Sequence, residues 1–140
     1  IRDIGVTGVQ TCALPISANT IAWPDIAQEG QKVFRWAVFS VSKVGSEAIN
    51  LAGLKPNDLK AFVPHQANLR IIESMAKDMK LSPDILIADD IRTNGNTSAA
   101  SIPLAMDALL NKHPELHGQL ALLIGYGAGL AYAAQVVKLP

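Results

Sequence analysis

A histidine follows a proline in the segment VPHQANLRI, residues 63–71. His65 stands where a short apolar strand over 61–64 is predicted to give way to a helix. At the end of a strand, a histidine can bind a metal, act as a general base or donate a hydrogen bond to a ligand. It can equally be a structural residue, so this segment by itself leaves the role of His65 open.

Two glycine-containing segments are further candidates for a site. TNGNTSAAS, residues 93–101, has the residues of a tight turn, followed by small residues that allow close approach of a helix or a ligand. The same segment also fits a simple turn with Asn96 as a helix cap. In GYGAG, residues 125–129, Leu130 follows where a dinucleotide-binding fingerprint needs glycine or alanine. Nucleotide binding is therefore not predicted.

His113 and His117 lie four residues apart in HPELH, a spacing that occurs in metal sites. Pro114 favours a turn, and the flanking residues of a zinc-protease helix are missing. The sequence also has no G-x-S-x-G nucleophile elbow and no pair of cysteines. We therefore expect no metal and no other cofactor.

The composition suits one soluble domain. Among the 140 residues, 12 basic and 12 acidic side chains cancel, so no overall field favours nucleic acid or an anionic membrane. A charged partner must then be recognised by a local patch. The apolar run LALLIG at 120–125 is far shorter than the roughly 20 residues that span a bilayer. The single cysteine, Cys12, suits a reducing compartment, and we expect a cytoplasmic protein.

Residues 1–17, IRDIGVTGVQTCALPIS, show no sustained helical or strand periodicity and lack the ordered regions of a signal peptide. They resemble translated sequencing-adapter sequence and are interpreted as an artefactual or disordered lead-in. The domain is predicted to span 18–140. Cys12 receives no catalytic role.

The elements that must position these candidates follow from periodicity. Apolar residues recur at three- and four-residue steps from Gln31 to Leu51, which predicts an amphipathic helix that stops at Gly53. A second helix is predicted after residue 69, and a small-residue helix over about 98–110 has Pro103 in its first turn.

Strands are predicted over 61–64, 84–88, 119–126 and 130–137. This order of elements predicts an α/β domain with helices layered on a mixed sheet that ends in an antiparallel hairpin. Because ligands gather at the carboxyl ends of strands in such sheets, His65, Asn96 and the loop around Gly127 are expected to converge.

The segments VFRWA, VPHQANLRI, GNTSAASIPLAM and LLIGYGAGLAYAAQVV occur in order between about Trp23 and Pro140. Together they resemble the C-terminal half of β-ketoacyl-acyl-carrier-protein synthase III, and most of all its actinobacterial members. The resemblance implies the thiolase fold, with two similar α/β halves in each subunit of a homodimer. This chain would supply the second half, without the half that carries the nucleophilic cysteine.

The resemblance also implies the chemistry. An acyltransferase takes an acyl group from acyl-CoA onto cysteine, and decarboxylating malonyl-acyl carrier protein then attacks it, giving the 3-oxoacyl product that starts fatty acid synthesis. His65 and Asn96 correspond to the catalytic histidine and asparagine, which donate hydrogen bonds to the developing negative charge. The loop Gly127, Ala128 and Gly129 corresponds to a backbone oxyanion site. Asn68 corresponds to a residue near the pantetheine arm, with a helix cap as the alternative.

For carrier-protein docking, the resemblance implies Arg35, Arg70 and Lys77, although Asp78 stands where the better-known bacterial members have a second basic residue. Alone, the chain is expected to be inactive and to expose an apolar face that favours self-association. Two alternatives stay open: a condensing enzyme of secondary metabolism, and a noncatalytic half-domain that binds carrier protein.

Overall fold

The computed structural model describes residues 30–140. The predicted lead-in at 1–17, Cys12 and the predicted domain start at residue 18 lie outside the described residues. Within them, the chain forms five α-helices and four strands. The helices are α1 (Gly30–Trp36), α2 (Ser42–Leu51), α3 (Leu69–Asp78), α4 (Ile91–Asn94) and α5 (Ser101–Lys112). The strands are β1 (Ala61–Pro64), β2 (Leu86–Ile87), β3 (Leu120–Gly127) and β4 (Ala131–Lys138).

The four strands form one sheet in the order β2-β1-β3-β4. β1 pairs in parallel with both β2 and β3, whereas β3 and β4 are antiparallel. The predicted mixed sheet with a terminal hairpin is thus confirmed. In the β1–β3 register Pro64 lies opposite Ile124, and the N–H of His65 donates to the Ile124 carbonyl at 2.7 Å. The end of β1 therefore lies beside the last part of β3, which continues to Gly127.

The long helix predicted over 31–51 is present, with one irregularity. A π-helical turn, Ala37–Val41, joins α1 to α2 without a break in the chain of helical turns. Trp36, the last residue of α1, packs its ring against Tyr126 and Tyr132, with centroids 6.0 and 5.9 Å away. Gly53 stops the helix as predicted, at a φ of +70° that favours glycine.

Each face of the sheet carries its own apolar core because side chains alternate along the strands. Phe62, Leu122 and Ile124 pack against the long helix and α3, and each is fully buried. Ala61 and Ala121 point to the opposite face, where α5 covers them. On the same face, but nearer the end of β3, α5 does not cover the sheet completely. A cavity of about 320 Å³ is lined there by Leu123, Gly125, Ala133 and others, and Leu104 of α5 is 45% exposed.

Three details differ from the sequence-based expectation. The strand predicted over 84–88 shortens to Leu86–Ile87. The segment after that strand, for which no helix was predicted, contains the four-residue helix α4, where the N–H groups of Thr93 and Asn94 both donate to the Asp90 carbonyl. The small-residue helix begins with a 3-10 turn, Ser98–Ala100, and α5 then extends to Lys112. Pro103 lies in the first turn of α5, as predicted.

Among residues 30–140, no helix is long and apolar enough to cross a membrane.

Replacing Gly45 with alanine tests the contact of α2 with the sheet. A Cβ at this position would lie 2.5 Å from Met79 Sδ and 2.7 Å from Ile124 Cδ1, both in the buried core. We expect Gly45→Ala to lower the free energy of unfolding by about 1–3 kcal/mol in chemical denaturation, because such overpacking forces neighbours to move. Gly30→Ala is the matched control, since a Cβ there meets nothing within 4 Å. Equal stability of the two variants would contradict the close α2–sheet contact.

Candidate functional site

A cavity of about 290 Å³ opens where β1 and β3 end and α5 begins. His65, directly after β1, lines it together with Ser98 and Ser101 from the start of the small-residue helix. Gly127 and Ala128, where β3 ends and the next turn begins, also line it. The parallel pairing of β1 with β3 explains this arrangement, because it places the carboxyl ends of both strands at one edge of the sheet.

His65 is held from three directions. Its backbone is bonded to β3, its ring Nδ1 lies 2.6 Å from Ser101 Oγ, and its ring packs edge-on against Tyr126 at 5.2 Å. Burial lowers the pKa of His65 below its ordinary value of 6.5, so the neutral imidazole is favoured at neutral pH. A neutral ring has one N–H donor and one acceptor nitrogen. The site therefore contains an oriented, uncharged histidine.

Gln66 is fully buried and links the strands that carry the site. Its Nε2 donates to the carbonyls of Pro64 and Ala88, at 2.8 and 3.1 Å, and its Oε1 accepts from the Ile91 N–H at 3.0 Å. These bonds tie the end of β1 to the end of β2 and to the start of α4. Sequence reasoning missed Gln66, because no local periodicity distinguishes a buried glutamine from an exposed one.

Asn96 follows α4 through Gly95, whose φ of +67° and ψ of −158° favour glycine. The Oδ1 of Asn96 accepts the Ser98 N–H at 2.9 Å, so the side chain closes a local turn, whereas Thr97 is the residue that precedes the 3-10 helix. Its Nδ2 has no partner among residues 30–140. Asn96 itself is exposed and does not line the 290 Å³ cavity, whereas Ser98, two residues on, does.

The residues of the glycine loop, 127–129, have two different structural roles. Gly127 and Ala128 contribute to the cavity wall, whereas Gly129 does not. Gly129 instead has a φ of +74° and turns the chain into β4. The sequence-predicted loop thus reaches the cavity through its first two residues.

The other candidate residues lie apart from the cavity. Asn68 is the N-cap of α3, and its Oδ1 accepts the Arg70 N–H at 2.9 Å. It therefore has the helix-capping role that the sequence analysis gave as the alternative to a pantetheine contact. His113 Nδ1 pairs with Glu115 at 3.0 Å, and His117 Nδ1 bonds to the Pro140 carbonyl. Within the described part of the chain, no group of three or more histidine, cysteine or acidic residues could hold a metal ion.

The three basic residues of the predicted docking patch are exposed: Arg35 on α1, with Arg70 and Lys77 on α3. Arg70 and Lys77 lie seven residues apart, which puts them on the same side of α3 two turns apart. Arg92 is also exposed, but its charge is shared with Asp89 at 2.9 Å and Glu73 at 3.8 Å.

Comparison with known families bears on this arrangement. Residues 49–139 match the family described as the 3-oxoacyl-[acyl-carrier-protein] synthase III C terminal. The chain belongs to this family. Among curated members, β-ketoacyl-[acyl-carrier-protein] synthase III 1 of Streptomyces coelicolor is 57% identical over 128 residues, 91% of this chain and 37% of that protein. The synthase III of Kocuria rhizophila is 60% identical over 118 residues, 84% of this chain and 33% of that protein.

Solved structures of family members share the fold. The priming β-ketosynthase from the R1128 polyketide biosynthetic pathway superposes with a TM-score of 0.78 at 46% identity, over 81% of this chain and 34% of that one. The synthase III of Pseudomonas aeruginosa PAO1 gives 0.76 at 35% identity, over 81% and 35% of the two chains. These comparisons confirm the predicted family and the thiolase-like half. The chain spans about a third of the length of the Streptomyces coelicolor and Kocuria rhizophila proteins.

Substituting Gln66 tests the buried link between the strands. Gln66→Leu would leave the Pro64 and Ala88 carbonyls and the Ile91 N–H without partners, and each such buried group costs about 1–3 kcal/mol. We expect the free energy of unfolding, measured by chemical denaturation, to fall by at least about 2 kcal/mol. Gln119→Leu, at an exposed position, is the control and should change it by no more than about 0.5 kcal/mol. Similar values for both variants would contradict the structural role of Gln66.

Proposed function

We propose that this chain is the second half of an acyltransferase that condenses an acyl-CoA primer with malonyl-acyl carrier protein, giving 3-oxoacyl-acyl carrier protein and initiating fatty acid biosynthesis. One observation carries the proposal: a neutral, oriented His65 shares a cavity with the backbone of Gly127 and Ala128, in a chain of the synthase III family. The proposed nucleophilic cysteine belongs to the part of the relatives that this chain does not span. The chain alone is then inactive.

The first chemical step assigned to this half is decarboxylation. When malonyl thioester loses carbon dioxide, the electron pair of the broken C–C bond delocalises onto the thioester oxygen, which becomes negatively charged. Fixed N–H donors aimed at this oxygen lower the barrier. His65 supplies one donor in this proposal, and the Nδ2 of Asn96 supplies the second. Hydrogen bonding of Asn96 Oδ1 to Ser98 supports this assignment, because it leaves the amide hydrogens for the substrate.

The second step is carbon–carbon bond formation. The enolate carbon attacks the acyl thioester carbonyl, a tetrahedral oxyanion forms, and the cysteine thiolate leaves as the 3-oxoacyl product is released. The backbone N–H at Ala128, between Gly127 and Gly129, is proposed to stabilise that oxyanion. Substrate can approach this N–H because the neighbouring residues are small. A Cβ built at Gly127 or Gly129 would meet nothing within 4 Å, so there is free space beside the loop.

Removing the proposed donors tests the function. A chimera is suitable in which this chain from residue 30 replaces the matching part of the Streptomyces coelicolor synthase III. In it, His65→Ala and Asn96→Ala are each expected to slow malonyl-acyl carrier protein decarboxylation by about 10²–10³-fold, because each removes one donor from the developing charge. Release of labelled carbon dioxide measures the rate. His113→Ala, remote from the cavity, serves as control. A folded chimera in which His65→Ala decarboxylates at the parent rate would contradict the proposal.

The proposed partners are acyl carrier protein and acyl-CoA, with a homodimer for the full-length enzyme in the cytoplasm. Asn68 is proposed as a pantetheine contact in addition to its capping role, because its amide nitrogen is not used by the cap. Arg35, Arg70 and Lys77 are proposed to bind the acidic carrier protein. All three side chains are exposed, and no carboxylate among residues 30–140 pairs with them, which supports this proposal.

Charge reversal tests the docking surface. Arg70→Glu or Lys77→Glu in this chain is expected to weaken acyl carrier protein binding about three- to tenfold at low salt, because each replaces an attraction with a repulsion. Titration of labelled carrier protein measures the affinity. Lys112→Glu, in the last turn of α5, is the matched control. Added salt should reduce the difference between the variants, since it screens exposed charges. Equal effects of the three substitutions would contradict this docking surface.

A condensing enzyme of secondary metabolism is the second candidate, favoured by the likeness to the priming β-ketosynthase from the R1128 polyketide pathway. Both candidates use the same histidine and asparagine roles, so the accepted acyl-CoA primer distinguishes them. The noncatalytic alternative, a half-domain that only binds carrier protein, differs in another way. It would bind carrier protein equally well with His65→Ala and would not support decarboxylation in any chimera.

A further inference from the structure

Ser101 occupies a junction between the candidate catalytic histidine and the buried glutamine. It is the first residue of α5 and is 1% exposed. Its Oγ lies 2.6 Å from His65 Nδ1 and 3.3 Å from the backbone N of Gln66. One oxygen atom, Ser101 Oγ, thus contacts both His65 and Gln66. In the sequence, Ser101 lies 36 residues after His65 and 35 residues after Gln66.

The direction of the hydrogen bonds follows from counting hydrogens. A backbone N–H can only donate, so Ser101 Oγ is the acceptor in its bond with Gln66. The hydroxyl has one hydrogen of its own, and among residues 30–140 its remaining partner is His65 Nδ1. If Nδ1 carried a proton, both partners would donate to Oγ and the buried hydroxyl hydrogen would have no acceptor. The satisfied arrangement therefore has the hydroxyl donating to an unprotonated Nδ1.

We propose that Ser101 is a positioning residue that holds His65 in the tautomer with its proton on Nε2. The N–H donor of the ring is then Nε2, which has no hydrogen-bond partner among residues 30–140. The side chain that carries it lines the 290 Å³ cavity. The assignment of this tautomer depends only on the hydrogen bonds around Ser101. The role of the Nε2 proton in decarboxylation depends on the proposed function.

Two neighbours keep this arrangement in place. Gln66 is anchored by three further bonds to both strands and α4, so the N–H that it offers to Ser101 is fixed in position. Tyr126 packs at 80° to the imidazole plane and restricts rotation of the ring. With the ring held and Oγ already accepting one bond, the serine hydroxyl hydrogen is directed to Nδ1.

Imidazole ¹⁵N chemical shifts of this 140-residue chain test the proposal, since protonated and unprotonated ring nitrogens differ widely. Spectra are recorded above pH 7, where the lowered pKa keeps His65 neutral, and His65→Gln identifies its signals by their disappearance. We expect one unprotonated Nδ1 and one protonated Nε2 in the parent chain. A protonated Nδ1 there would overturn the proposal without the need for any variant.

Ser101→Ala is expected to move both ¹⁵N shifts of His65 toward their mean as the second tautomer becomes populated, and Ser101→Thr, which keeps the hydroxyl, should restore the parent values. Ser42→Ala is the matched control, because Ser42 is also buried, lies on α2 and has no partner for its hydroxyl in the described part of the chain. Unchanged His65 shifts in Ser101→Ala would overturn the role of Ser101. If the shifts behave as expected but the chimera fails to decarboxylate malonyl-acyl carrier protein, the tautomer inference stands and the proposed function fails.

Discussion

The parallel pairing of β1 with β3 brings His65 to the same edge of the sheet as Gly127 and Ala128. Its register, Ala61 opposite Ala121 through Pro64 opposite Ile124, continues for one more bond at the His65 N–H. A shift by one residue would turn the apolar side chains of β1 to the wrong face and move His65 away from Ser101. The two cores on opposite faces of the sheet hold this register, because Phe62 and Val63 are both fully buried, on opposite sides.

The polar groups behind the cavity form a connected network within an otherwise apolar environment. Every hydrogen-bonding atom of the Gln66 amide is used, and Ser101 Oγ is shared by two partners. Such networks specify one arrangement, because any alternative leaves a buried group without a partner. The Tyr126 hydroxyl differs: it is buried with no hydrogen-bond partner among residues 30–140, and burial raises its pKa, so it stays a neutral phenol beside His65. The histidine thus lies among uncharged groups that favour its neutral form.

Much of the fold could be predicted from the sequence, because local periodicity reports which face of an element is buried. The helix over 31–51, the strand over 61–64 and the terminal hairpin are of this kind. The π turn and α4 were missed, because each depends on a few backbone bonds that leave little mark on the pattern of apolar residues. The family resemblance supplied His65, Asn96 and the glycine loop as candidates, and the structure brings His65, Gly127 and Ala128 to one cavity. Gln66 and Ser101 were not identified, since their importance lies in hydrogen bonds to residues 22 to 36 positions away.

The π turn at Ala37–Val41 changes the phase of the helix that contains it. Each residue of an α-helix advances about 100° around the axis, so one extra residue in a turn rotates everything before it by about that angle. Arg35 and Trp36 therefore face directions that the apolar repeat of α2 does not dictate. A single insertion or deletion within the turn would re-aim the exposed arginine and the aromatic contact with Tyr126 together. The turn also carries Ala37 and Val41 of the buried core. The direction of Arg35 and the aromatic packing of Trp36 are thus set together by one turn of the helix.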